Sequence, residues 1–303
     1  MSNKRLIIDN GERKIIRKND FKQLLVNKKI VKVCGVHNAL MGTLAEEAGF
    51  DGVWLSSFEV HASCRLPDAD ILSISDYSNI SNKISDRICI PLLVDGDAGG
   101  GSPINTIRMV REYEKNGAIG ICIEDNKYPK RCSFYNGSKR ELEDPKIHSM
   151  KIKAAIENRI DENFLIIART ESLIVGNSVE DAVYRANLYA DSGAEAILIH
   201  HKGETPDPIF EFSKKFKNRL PLVSVPTTYN FVTEKQLIEN GFNMVIYANY
   251  GIRAIVKTLQ KVFKNIFDNE RLSCANDEVV PMSEIFRIIS VEELNFNEKR
   301  YSV

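Results

Sequence analysis

Three carboxylates stand where apolar runs end. Asp95 and Asp97 close the segment PLLVDGD, and Glu124 closes GICIED. Clustered carboxylates repel one another unless a cation neutralises them. A ligand set of oxygens alone favours a hard ion, and Mg²⁺ is the expected choice. Arg169, in Ala168-Arg169-Thr170-Glu171, ends another apolar run. Its planar fork matches carboxylate or phosphate oxygens. Beside a metal it points to a small anionic substrate, while an internal salt bridge to Glu171 or Glu124 is the plainer alternative. His200, at the end of AILIH, is placed either to position a substrate oxygen, to bond Glu124, or to serve as a core histidine satisfied by a carboxylate.

A polar, basic segment follows Glu124: Asp125-Asn126-Lys127-Tyr128-Pro129-Lys130-Arg131-Cys132-Ser133-Phe134-Tyr135. Such loops act as lids that exclude water and complete a site; a solvated surface loop is the alternative. Cys132 is expected to have a lowered pKa beside Lys130 and Arg131. The chain has six cysteines and no CxxC pair, and most are expected to be small buried thiols of a reducing cytoplasm. The glycine run Gly99-Gly100-Gly101 after Asp97 either lets backbone amides approach an anion or is a plain loop.

A recurring phrase supplies the frame for these residues. An amphipathic run ends in glycine and an apolar strand follows at once: Gly49 before GVWLSS, Gly117 before IGICIED, Gly193 before EAILIHH, Gly241 before NMVIYAN. Strands at 30–36, 90–97, 164–170 and 220–226 fill the gaps and bring the number to eight. Eight βα units over about 250 residues predict an α/β fold, a closed (β/α)8 TIM-type barrel. An open doubly wound sheet is the runner-up, weakened because no GxGxxG follows the first strand. The chain reads as a single domain over 1–303, with a helical lead-in over 1–29 and a C-terminal helical extension over 252–303. In a barrel the reactive groups gather at the carboxyl ends of the strands, where the residues above stand.

The 41 Lys+Arg balance 41 Asp+Glu, which argues against a nucleic-acid partner or a polybasic membrane surface. No apolar stretch reaches the length of a membrane span, and the first residues lack a signal-peptide core, so a cytoplasmic location is expected.

Several motifs together resemble the phosphoenolpyruvate mutase/isocitrate lyase superfamily, the mutase branch above all: GVHNAL, EEAGFDGVW, LPDAD, PLLVDGDAGGG, GICIEDNKYPKRCS, ARTES, ILIHHK, VPTTY, YANYGIRA, VVPMSEIFR and EKRY. The resemblance runs from about residue 20 to the C-terminus. It implies a barrel whose C-terminal helix is swapped between subunits in a homotetramer, a dimer of dimers. It also implies Mg²⁺ and a pyruvyl substrate, with interconversion of phosphoenolpyruvate and phosphonopyruvate in phosphonate biosynthesis. Under it, Asp95 matches the direct metal ligand, and Asp97 and Glu124 match holders of metal-bound water. Arg169 matches the anion clamp, and Trp54, Ser56, Ser57 and Phe58 match the substrate cradle. Asp68 matches an aspartate near the migrating group, as nucleophile or electrostatic guide. Lys130 matches the lid lysine and His200 a pocket histidine.

The chain departs from this pattern in the lid. Cys132 stands where mutases carry asparagine, in a Lys130-Arg131-Cys132 sequence that resembles the carbon–carbon lyases, but Ser133-Phe134 replaces their Gly-His. Ser57 stands where mutases commonly have glycine, and Ala98 interrupts a common Asp-Thr-Gly. A lyase or a phosphonopyruvate hydrolase, with Cys132 as acid/base, is therefore the rival reading.

Overall fold

The structure, a computed structural model, describes residues 21–135, 140–217 and 219–302. Eight parallel strands close into a barrel in sequence order: β1 (Val31–Val36), β2 (Gly52–Leu55), β3 (Leu92–Asp95), β4 (Gly120–Glu124), β5 (Leu165–Thr170), β6 (Ala196–Ile199), β7 (Leu222–Ser224) and β8 (Met244–Tyr247), with β8 pairing back onto β1. The predicted (β/α)8 architecture is the observed one.

The strands are apolar on both faces because both faces are covered. Val36, Val53, Leu55, Val94 and Ile121 pack outward against helices, while Val33, Leu93, Cys122, Leu165, Leu198 and Ile246 fill the interior. Residues 21–27 are helical, and Phe21 and Leu25 join that interior cluster. The part of the predicted lead-in before residue 21 lies outside the described residues. Gly117 shows why the punctuation reads as it does. Its φ of +85° is a left-handed stop after the helix Pro103–Lys115. A Cβ there would also stand 2.2 Å from Ser85 Oγ.

Beyond β8 the chain forms a long helix, Tyr250–Asn269, a 3₁₀ segment, Leu272–Glu278, and two further helices, Met282–Ile288 and Val291–Tyr301. These carry many exposed apolar side chains, among them Leu259, Phe263, Phe267, Met282 and Phe286.

The cysteine expectation needs correction. Only Cys122 and Cys132 are buried; Cys64 and Cys89 are exposed, and Cys34 and Cys274 are intermediate. Cys64 closes a short helix, Ser57–Ser63, and Cys89 lies in the turn before β3, so neither shares the burial of the adjoining apolar runs.

Candidate active site

The strand ladder sets the first half of the site. Glu124 and Arg169 are register partners on β4 and β5, and Asp95 pairs with Cys122 across β3 and β4. Arg169 Nη2 lies 3.1 Å from Glu124 Oε2, and Arg169 Nε donates to Glu171 Oε1 at 2.6 Å. Both internal partners weighed for Arg169 are therefore present. His200 Nδ1 lies 2.7 Å from Glu171 Oε1 and 2.9 Å from Arg169 Nη2. Its carboxylate partner is Glu171, not Glu124. Burial alone would raise the Glu171 carboxyl, but Arg169 and His200 outweigh it and hold that carboxyl below its ordinary value. Burial lowers the pKa of His200, which favours the neutral ring.

The acidic half is organised around Lys130. Its Nζ lies 2.7 Å from Asp97 Oδ1, 2.8 Å from Asp68 Oδ1 and 3.0 Å from Ser57 Oγ. Burial opposes the ammonium charge, yet Asp97 and Asp68 prevail and raise its pKa well above the usual lysine range. Lys130 thus sits among the carboxylates. Asp95 accepts from Ser57 Oγ at 3.3 Å, and burial followed by repulsion from Asp97 pushes its pKa up to about 7.

Among the described residues, no three His, Cys, Asp or Glu side chains are arranged to enclose a metal ion; the ammonium of Lys130 already lies against Asp97. The donors nonetheless suit a hard cation. Asp95, Asp97 and Glu124 offer only oxygen, and Asp97 Oδ1 is buried with no hydrogen-bond partner of good geometry.

The segment after β4 folds over the barrel mouth. Lys130, Cys132 and Ser133 are 5%, 4% and 6% exposed. The backbone N–H of Lys130 donates to Asp70 Oδ2, and that of Cys132 to Asp68 O at 3.1 Å. Asp68 N–H donates to Tyr135 Oη at 2.7 Å, and Lys202 Nζ to Ser133 O at 3.2 Å. Arg140 reaches back to the Arg131 carbonyl and to Glu171. The expected low pKa of Cys132 is not found. Burial raises the thiol, and Lys130 and Arg140 only partly oppose it.

The carbonyls of Gly99 and Gly100 accept from Thr106 Oγ1 and Asn105 Nδ2, both at 2.7 Å. A Cβ on Gly101 would meet the Tyr128 ring at 3.2 Å. The glycine run therefore seats the lid, and it does not line the cavity.

These parts enclose a cavity of about 270 Å³. Trp54, Ser56, Ser57, Phe58, Asp68, Asp95, Glu124, Lys130, Cys132, Arg169 and His200 line it, which brings together every site residue expected from sequence except Asp97, which stands behind Lys130. Arg140, Thr227, Asn249 and Arg253 also line it. Thr227 lies in the motif VPTTY, and Asn249 and Arg253 in YANYGIRA, where Asn249 also ends an apolar run; Arg140 lies in a polar stretch with nothing to mark it.

A closed parallel barrel with carboxylates, a part-buried arginine and a covering loop at its carboxyl-terminal mouth is the frame of an enzyme site. A family model described as phosphoenolpyruvate phosphomutase matches residues 21–267, and the chain belongs to that family. It is 35% identical over 280 residues to the phosphoenolpyruvate phosphomutase of Tetrahymena pyriformis, covering 92% of this chain and 93% of that protein. It is 37% identical over 274 residues to the phosphonopyruvate hydrolase of Variovorax sp. (strain Pal2), covering 90% and 94%. The crystal structure of phosphoenolpyruvate phosphomutase from Streptomyces platensis subsp. rosaceus superposes with a TM-score of 0.92 at 36% identity, over 94% of this chain and 99% of that one. A phosphonopyruvate hydrolase complexed with oxalate and Mg²⁺ gives 0.89 at 36% identity, over 94% and 99%.

Proposed function

We propose that this protein is a Mg²⁺-dependent phosphoenolpyruvate mutase, interconverting phosphoenolpyruvate and phosphonopyruvate and so opening a phosphonate biosynthetic route. The observation that carries this reading is the buried lid. Lys130, Cys132 and Ser133 are each under a tenth exposed, so this part of the lid packs into the barrel mouth and narrows the way in for bulk water. An intramolecular phosphoryl transfer needs that shield, because a loosely bonded phosphoryl group is captured by any water that reaches it.

Each residue then has a physical task. Arg169, held by Glu124 and Glu171, presents its remaining donors to the anionic group. Trp54, Ser56, Ser57 and Phe58 shape the wall against which the pyruvyl part rests. Asp68, fixed by Lys130, faces the migrating group and keeps its path defined by repulsion. His200, neutral, holds Glu171 and with it the Arg169 plane. Asp95 would bind Mg²⁺ directly and Asp97 and Glu124 would hold its waters; when bound, the ion supplies positive charge that offsets the charge growing on the pyruvyl oxygens.

The hydrolase stands as the second reading because a phosphonopyruvate hydrolase is as similar as the mutases are. The lyase reading needs Cys132 to exchange a proton near neutrality, and a buried thiol with a raised pKa is poorly matched to that task. Phosphorus NMR of the protein with Mg²⁺ and phosphonopyruvate separates the readings. A phosphoenolpyruvate signal is expected; inorganic phosphate alone identifies a hydrolase, and no change sinks both.

We also propose a homo-oligomer, a dimer of dimers, in the cytoplasm. The exposed apolar side chains of the C-terminal helices support assembly with further copies. No helix among the described residues is long and apolar enough to cross a membrane.

A further inference from the structure

The lid leaves β4, yet its side-chain clasps come from farther round the barrel. Asp70 lies in the segment that follows β2 and the helix Ser57–Ser63, and its carboxylate accepts the backbone N–H of Lys130. Lys202 lies just past β6, and its ammonium donates to the Ser133 carbonyl at 3.2 Å. In the strand order, β2 and β6 stand two places to either side of β4. A carboxyl group and an ammonium from opposite flanks therefore grip the lid main chain on both sides of Cys132. Asp70 holds a left-handed φ of +54°, unusual for a residue with a side chain, and that conformation is what turns its carboxylate toward the lid. Neither residue lines the cavity.

We propose that Asp70 and Lys202 are paired latches, positioning residues that hold the 126–135 segment shut and thereby decide whether the phosphoryl group rearranges or is hydrolysed. The inference rests on the functional reading above. In the rearrangement the P–C bond of phosphonopyruvate breaks and a P–O bond to its own enol oxygen forms, giving phosphoenolpyruvate with no atom gained or lost. In the hydrolysis the oxygen of water bonds to phosphorus, the P–C bond breaks, and carbon 3 takes a proton of that water, giving pyruvate and inorganic phosphate. Both start from the same bound substrate, so the ratio of products reports water access. A partial loss of folded protein does not change that ratio.

The test uses full-length protein with Asp70→Gly, which removes the carboxylate where glycine suits the backbone, and Lys202→Met, which keeps the apolar stem. Two quantities are read. The first is the rate at which iodoacetamide labels Cys132, followed at that peptide by mass spectrometry. The second is the ratio of phosphoenolpyruvate to inorganic phosphate formed from phosphonopyruvate with Mg²⁺. Loss of one charge-assisted hydrogen bond is expected to raise labelling about tenfold in each variant, and to lower the product ratio by a similar factor. Unchanged labelling in both variants overturns the latch. Raised labelling with an unchanged ratio overturns its role in product choice, as does a wild-type enzyme that yields only pyruvate and phosphate through a latched lid. If the wild-type protein leaves phosphonopyruvate untouched, the functional reading fails, and labelling alone then upholds or overturns the latch.

Discussion

Nζ of Lys130 lies 2.7 Å from Oδ1 of Asp97, so a side chain carried by the lid supplies the positive charge that this buried carboxylate requires. The same ammonium serves Asp68. In this arrangement the lid itself neutralises the acidic floor, and the ammonium occupies the place where another cation would meet these carboxylates.

Lys130→Met is therefore expected to bind Mg²⁺ more tightly than the wild type in the absence of substrate, while turnover falls at least about 100-fold for loss of an aimed charge. Calorimetric titration and steady-state rates measure the two effects. Equal Mg²⁺ affinity in both proteins would show that the ammonium and the ion do not share Asp97.

Cys132 contributes a neutral, buried thiol to the cavity wall. Cys132→Ser is expected to keep activity within about tenfold, and Cys132→Asn, which adds an amide donor, to match or exceed the wild type on phosphonopyruvate. A loss of several orders of magnitude in the serine variant, unrelieved by asparagine, would instead assign the cysteine to proton transfer.

Glu171 is fully buried and is shared by Arg169, His200 and Arg140. Glu171→Gln leaves the arginines short of a counter-charge. The expected cost is about 3 kcal/mol of stability, typical of breaking a buried ion pair. Misplacement of the Arg169 plane should lower kcat/KM by about 100-fold. Chemical denaturation and kinetics on the same preparation separate the two. A stable variant with full activity would remove Glu171 from the clamp.

His148 is buried against Tyr189, with ring centroids 4.5 Å apart. Neither ring nitrogen has a hydrogen-bond partner of good geometry among the described residues. Burial, followed by the nearby Lys151 and Arg185 charges, holds its pKa well below the ordinary histidine value of about 6.5. The unfolded chain thus binds a proton that the folded one refuses. Stability is fully present above pH 6.5 and is lost as pH falls below it, by up to about 1.4 kcal/mol per pH unit, until the folded-state pKa is passed. His148→Phe should flatten that limb relative to the wild type in denaturant titrations at pH 5 and pH 7.5. Parallel curves would show that the histidine does not carry it.

Phe263 and Phe267 are 63% and 81% exposed on the long C-terminal helix. Placing aspartate at both positions should shift the protein toward smaller species in sedimentation, because a charge in an apolar interface goes unpaired. An unchanged distribution would mean that this face is not the one that assembles.

The barrel was legible because its strands are buried on both faces and their preceding helices end at glycines such as Gly117, two signals confined to a few neighbouring residues. The strand-borne site, from Asp95 to Arg169 and His200, was legible for the same reason. The lid was not. Lys130 finds its charge partners 62 and 33 positions upstream, at Asp68 and Asp97, and Cys132 is shielded by a fold-back that its polar neighbours conceal. Asp70 and Lys202 act through a main-chain amide and carbonyl, and Arg140 does so in part, and such contacts leave no mark on residue type.

The Glu124–Arg169 register has a wider meaning. Their spacing is written into the hydrogen-bonded ladder of β4 and β5, so it is inherited with the barrel itself. The lid and its clasps hang on loops that can be rewritten residue by residue without disturbing that ladder. One chassis can therefore keep the Glu124–Arg169 pair constant while exchanges at loop positions alter what covers it.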